Sequence, residues 1–250
     1  MSLAAAFVVL GVGLAAGTLN TIVGSGSLIT FPTLLALGYP PVVANVSNTV
    51  GLVPGSISGA IGYRRELAGQ GARLRILGSA SVAGGLTGAV LLLVLPAEVF
   101  DAVLPVLILV ACGLVAAQPS LARRVATRSG EPRPHGGAPL FVAVFVTGVY
   151  GGYFGAAYGV ILVALLGIFV DDGLQRLNAT KNVLAAVVNG VAAMVFVLVA
   201  PVAWPPAVLL AIGSAIGGQI GARIGRCISQ GWLRAAIIVV GVLVAIRLVV

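Results

Sequence analysis

Long runs of apolar residues, punctuated by glycine, proline and small groups of charge, fill almost the whole chain: residues 3–22, 28–37, 45–63, 76–95, 102–117, 139–156, 160–170, 182–199, 206–222 and 233–250. A bilayer core takes about 20 helical residues to cross. Most of these runs therefore predict spanning helices. The exceptions are residues 28–37 and 160–170, which at about 1.5 Å per residue rise too little to cross alone. Each follows a glycine-rich break, Gly24-Ser25-Gly26 and Gly155-Ala156-Ala157-Tyr158-Gly159. The pattern predicts two broken hairpins that turn inside the membrane.

Composition sharpens this picture. The chain has 250 residues, 60% of them hydrophobic and only 8% charged, against roughly 25% charged in an ordinary soluble domain. Residues 1–63 and 182–222 contain no Asp, Glu, Lys or Arg. An all-α, polytopic membrane protein is the expectation. The formal net charge of +8 does not imply nucleic acid, because the arginines sit in short clusters between apolar runs, as cytoplasmic loops of membrane proteins do. Cys112 and Cys227 have neither a disulfide nor a metal spacing and read as small apolar packers, so no metal or other cofactor is expected. His135, in a loop-like run, reads as solvated, with proton relay as the alternative. The first segment lacks a basic region before it, which predicts a retained span rather than a cleaved leader.

Loop charge fixes an expected direction. Arg64, Arg65, Arg73 and Arg75 form one basic group, Arg123, Arg124, Arg128 and Arg133 a second, and Arg223, Arg226 and Arg234 a third. All three should be cytoplasmic. Residues 96–101 and 201–206 carry no Lys or Arg and should face outward. Counting each hairpin as down and back puts both termini outside a cell membrane. The domain reading is a first transmembrane repeat over residues 1–118, a cytoplasmic linker over 119–138 and a second repeat over 139–250.

The two halves match at an offset of 133 positions. Ser81, Gly84, Gly85, Gly88 and Ala89 fall on Ser214, Gly217, Gly218, Gly221 and Ala222, while Asn45, Ser47 and Val50 fall on Asn178, Thr180 and Val183. Gly26 falls on Gly159. Under the same shift the basic stretch 64–75 lands on 197–208, which has no arginine. Charge bias thus changes sides between the copies. The expected architecture is two inverted-topology repeats, each a broken, re-entrant hairpin plus three spanning helices, with a site between the halves near the midplane. Glycines recurring every fourth residue, at 51, 55 and 59 and at 213, 217, 221 and 225, let helices pack closely. A hinge at Pro54 is the alternative use.

In so apolar a chain the polar residues that interrupt helices are informative. Asn20, Thr21, Ser25 and Ser27 surround the first break, and Asn45, Ser47, Asn48 and Thr49 open the helix that follows the short arm. The second copy offers Tyr158, then Asn178, Thr180, Lys181 and Asn182. Helix N-termini present unpaired amides and partial positive charge, so opposed helix starts with hydroxyls and side-chain amides suit a small anion. Lys181, the chain's only lysine, would add full charge. Other readings stand beside this one: Asn, Ser and Thr as ordinary N-caps, Lys181 with Arg176 as an interfacial anchor, and Asp171 and Asp172 as turn residues rather than proton carriers. No acidic residue is embedded in an apolar run, which argues against a cation site.

The segment Gly24-Ser25-Gly26-Ser27-Leu28-Ile29-Thr30-Phe31-Pro32, followed by Ala44-Asn45-Val46-Ser47-Asn48 and a Tyr63-Arg64-Arg65 helix end, resembles the TauE/SafE permeases, called sulfite exporters. The likeness covers nearly the whole chain, although the second break lacks the family's fuller glycine run and following proline. It implies transport of sulfur-containing anions such as sulfite, sulfonates or sulfoacetate. Residue spacing and charge by themselves imply a small-anion permease working by alternating access, with protons as a candidate coupling ion. No nucleotide-binding loop, nucleophile with a base, or metal-ligand set is present to suggest an ATP-driven pump or an enzyme. A non-transporting membrane scaffold or assembly protein and a channel-like anion pore are the competing classes.

Overall fold

The computed structural model describes residues 1–126 and 137–224. His135, Arg128, Arg133, Arg226, Cys227, Arg234 and the expected last span at 233–250 lie outside the described residues. Within them the fold is all-helical: α1 (Leu3–Ile22), α2 (Ser27–Ala36), α3 (Pro41–Gly62), α4 (Gly71–Val94), α5 (Ala97–Ala126), α6 (Gly137–Tyr153), α7 (Tyr158–Phe169), α8 (Leu174–Val199) and α9 (Trp204–Ile224). Five of these are long and apolar enough to cross a membrane: α1, α4, α5 through Ala117, α8 and α9. Their outward side chains, Leu3, Val94, Val106, Leu198 and Ile216 among them, are exposed. Only lipid accommodates so continuous an apolar exterior. The short arms α2 and α7 have 10 and 12 residues.

Local chemistry sets the boundaries. Ser2 caps α1, its Oγ accepting from the Ala5 amide at 3.2 Å. The far end stops at Gly24, whose φ of 87° lets its amide and that of Val23 both fold back on the Leu19 carbonyl. The end of α6 repeats the device, with the Phe154 and Gly155 amides on the Tyr150 carbonyl. Two starts fall earlier than the polar pattern suggests. Pro41, fixed at a helical φ in the first turn, opens α3 four residues before Asn45, and α8 opens at Leu174 rather than Asn182. The polar clusters thus lie one to two turns inside their helices. Pro54 does not interrupt α3. Helix α5 continues to Ala126, so part of the expected linker is helical.

The offset of 133 carries α1, α2, α3 and α4 closely onto α6, α7, α8 and α9. Packing repeats with it. Helix α9 lies along α1 and α3, and α4 lies along the equivalent α6 and α8. These contacts are backbone to backbone: a side chain on Gly217 would run into the Leu14 carbonyl, and one on Gly88 into the Val149 carbonyl. Helices approach this closely in lipid only through such residues. Helices α3 and α8 cross antiparallel, since residues 50–54 of one share a groove with 190–198 of the other while residues 57–64 share one with 183–187. Aromatic rings seal one flank, Phe31 meeting Phe154 edge to face at 5.4 Å and Phe100 meeting Tyr153 at 5.6 Å.

Candidate functional site

The two breaks meet inside the molecule. The Gly159 amide donates to the Gly24 carbonyl at 3.2 Å, and a Cβ on Gly24 would come within 2.5 Å of the Gly159 Cα. Glycine is therefore required on both sides of this crossing. Ala157, equivalent to Gly24, also has a left-handed backbone, φ 57°, which strains an L residue. Beyond Gly24 the chain passes through Ser25, Gly26 and Ser27 into α2, and among the described residues their amides find no acceptor. Consecutive free amides at a helix start attract anions. The Ser25 hydroxyl is buried beside them, also without a partner.

Because α1 stops at the break, its last carbonyls lack helical donors. Side chains of α8 supply them. Lys181, 0% exposed, donates from Nζ to the carbonyls of Asn20 at 2.9 Å and Thr21 at 3.0 Å. Asn178 and Asn182 add Nδ2 donors to the same Thr21 carbonyl at 3.3 and 3.2 Å. A cation at a helix C-terminus is also favoured by the helix dipole. Lys181 is thus an interior group and not a snorkelling anchor. Its aliphatic stem crosses Gly159, whose Cβ position lies 3.1 Å from the Lys181 Cδ. Among the described residues no carboxylate touches it, and a third N–H of the ammonium has no acceptor. The Thr21 hydroxyl and the Asn178 Oδ1 are buried here without partners.

The equivalent end of α6 is held more simply. Asn45 donates from Nδ2 to the Tyr153 carbonyl at 2.9 Å, and its Oδ1, like that of Asn178, has no partner. Asn48 occupies the position matching Lys181 and accepts from the Thr30 hydroxyl instead. The remaining expected residues are dispersed. Ser47 Oγ accepts from the Ala203 amide at 2.8 Å, which ties it to the α8–α9 connection. Thr180 donates to Gln70 Oε1 at 2.7 Å. Tyr158 turns its ring into the apolar cluster of α4, α6, α7 and α8, away from the Lys181 clamp, and Ser27 is half-buried at the start of α2.

Two further clusters escape the sequence reading. Ser56 Oγ accepts from Asn189 Nδ2 and from Asn20 Nδ2, both at 3.2 Å. Ser56 and Asn189 are 133 residues apart, so equivalent positions bond each other where α3 crosses α8. A polar residue at the same offset-matched place in both helices was the available signal. The second cluster joins the α3–α4 connection to the α7–α8 turn. Arg73 Nη1 donates to Asp172 Oδ2 at 2.9 Å and to Gln70 Oε1 at 2.6 Å, while Arg176 Nε donates to Asp172 Oδ1 at 2.7 Å. Burial raises the Asp172 carboxyl, but the Arg73 and Gly173 hydrogen bonds and both guanidinium charges outweigh it and hold it below the usual carboxylate range.

Among the described residues no group of His, Cys, Asp or Glu could hold a metal ion. No solved structure matches the chain. Its sequence is 26% identical to the probable membrane transporter protein YfcA of Escherichia coli strain K12, over 95% of this chain and 87% of that one. It is likewise 26% identical to the probable membrane transporter protein ORF9 of a Sinorhizobium species, over 93% and 88%, and 25% identical to a probable membrane transporter protein of Haemophilus influenzae, over 81% and 78%. The model of the family described as sulfite exporter TauE/SafE matches residues 9–248. With spans, paired breaks and this match together, the chain belongs to the TauE/SafE family and is a multi-pass membrane transporter, not an enzyme.

Proposed function

We propose that the protein is a secondary transporter that exports a small sulfur-containing anion, a sulfite, sulfonate or sulfoacetate, by alternating access between two inverted repeats in the cell membrane. The observation that carries this reading is the crossing of the two breaks beside Lys181: a buried ammonium without a carboxylate, next to free amides and unpartnered hydroxyls. That set supplies positive charge and donors for an oxyanion. The substrate would complete the charge balance that the protein leaves open. Asn20, Thr21, Ser25, Asn178, Lys181 and Asn182 form this half of the site, and Asn45 and Asn48 the matching half.

Inversion of the repeats is supported by the antiparallel crossing of equivalent helices α3 and α8 and by the change of side in loop charge. The two ends of the molecule then act as gates. The Gln70–Arg73–Asp172–Arg176 cluster closes one, and the Ser47–Ala203 hydrogen bond helps close the other. With the arginine-bearing loops cytoplasmic, both termini would be extracytoplasmic, and a membrane potential negative inside would favour anion exit. Uptake would need a coupling ion such as the proton.

The test is counterflow in liposomes with purified protein, against a panel of sulfite, sulfonates, sulfoacetate and simple carboxylates. Saturable exchange of sulfur oxyanions, lost in Lys181→Gln, is expected. Exchange of carboxylates alone, or flux without counterflow, would reject the substrate or the carrier mechanism respectively.

A further inference from the structure

The antiparallel crossing of α3 and α8 leaves two open grooves on the outer face of the molecule, one on either side of the Ser56–Asn189 bond. The larger, about 410 Å³, is walled by Ile57, Ala60 and Ile61 of α3, with Arg64 just past its end, against Val183, Ala186 and Val187 of α8. The other, about 330 Å³, is its repeat-related copy, with Gly190, Ala193, Met194 and Val197 of α8 against Val50 and Pro54 of α3. Each residue of the second wall is 133 positions from its counterpart in the first. The grooves therefore share a backbone shape, and one side chain separates them chemically. Arg64 stands at the mouth of the first, and Val197 holds the same position in the second.

We infer that the first groove is a binding site for one anionic phospholipid, its phosphate on Arg64 and an acyl chain along Ile57, Ile61 and Val183. Arg64 is exposed, and its guanidinium has no ion pair or hydrogen bond among the described residues. The groove wall offers no carboxylate to neutralise it. Below the guanidinium the lining is entirely aliphatic, which admits a hydrocarbon chain and no polar ligand. Arginine presents a fork that fits a phosphate in two bonds, and basic pockets between membrane helices hold anionic headgroups in this way. A second copy of the chain is the poorer occupant. Pressed on the same groove it brings only more aliphatic side chains and a second Arg64, so two like charges would meet. The Val197 groove offers lipid the same chain-shaped wall without the headgroup contact.

The experiment is native mass spectrometry of the full-length protein in mild detergent with equimolar phosphatidylglycerol and phosphatidylcholine of identical acyl chains. One retained phosphatidylglycerol is expected, favoured about fivefold, the size of a single arginine's attraction to anionic lipid. Arg64→Gln should erase the preference. Arg65→Gln, one residue along and outside the groove, should keep it. Ala186→Phe, which fills the groove while leaving Arg64 in place, should reduce retention of both lipids, with monodisperse elution as the check on folding. Equal retention of the two lipids by the unsubstituted protein would overturn the proposal. So would a preference that survives Arg64→Gln, or one that Arg65→Gln removes equally, since either assigns the effect to diffuse charge.

Discussion

The ends of α1 and α6 match at the offset of 133 residues, yet they are capped differently. At α1, Lys181, Asn178 and Asn182 converge on two carbonyls. At α6, Asn45 alone reaches one, and Asn48 in the lysine's place binds Thr30. The crossing is the same on both sides, while a lysine stands at only one of the two ends. The backbone crossing therefore does not depend on the lysine, and in the proposed site a single ammonium would serve the anion. The two outer ends differ likewise: a guanidinium–carboxylate cluster at one, a single hydroxyl–amide bond at the other.

Breaking the crossing should have the largest effect. Gly24→Ala combines left-handed strain of about 1–2 kcal/mol with overpacking against Gly159 of about 1–3 kcal/mol, so loss of monodisperse protein on gel filtration is expected. Ala157→Gly, the equivalent site, should instead raise the melting midpoint, relieving strain worth roughly 0.5–1 kcal/mol. Next comes the charge asymmetry. Lys181→Met should lower anion flux at least about tenfold, the equivalent of a charged hydrogen bond. Asn48→Ala, in the matching half of the proposed site, should cost about 1 kcal/mol of stability and lower flux by less than Lys181→Met does, because it removes no charge and the Thr30 hydroxyl retains the Gly26 carbonyl at 3.3 Å.

The asymmetry of the ends gives smaller effects. Asp172→Asn should loosen the charged end, read as faster labelling of a cysteine at Thr180 in a protein otherwise free of cysteine. Because the folded carboxyl sits below its ordinary value, its contribution is complete above about pH 4 and is lost only as pH falls through the lowered value. The ratio of labelling rates with and without Asp172→Asn should therefore be the same at pH 5 as at pH 7, a comparison that cancels the smaller thiolate fraction at acid pH. Ser47→Ala, at the opposite end, removes one neutral hydrogen bond of about 1 kcal/mol and should produce the slightest change in labelling.

The apolar runs and the two breaks were legible because glycine and proline punctuate a membrane chain strongly, and the proposed duplication rests on one offset that aligns several helices. The site was less so. Asn45 and Asn182 resemble helix starts, but Pro41 and Gly173 set those starts earlier, which moves the polar residues into the helix interior. The positive helix starts at the crossing belong to α2 and α7. Lys181 reads equally as anchor or ligand until the Asn20 and Thr21 carbonyls are found opposite it. Arg73 and Asp172 are 99 residues apart, and no local pattern announces such a pair.

In the proposed transporter, equivalent parts of the two halves point opposite ways across the membrane. Ala68 and Pro201 are both exposed and differ by the offset of 133. Single cysteines placed there, in a protein with Cys112 and Cys227 replaced, can be labelled in sealed oriented vesicles with an impermeant thiol reagent. Ala68→Cys should react from one side only and Pro201→Cys from the other. Labelling of both from the same side would rule out inversion.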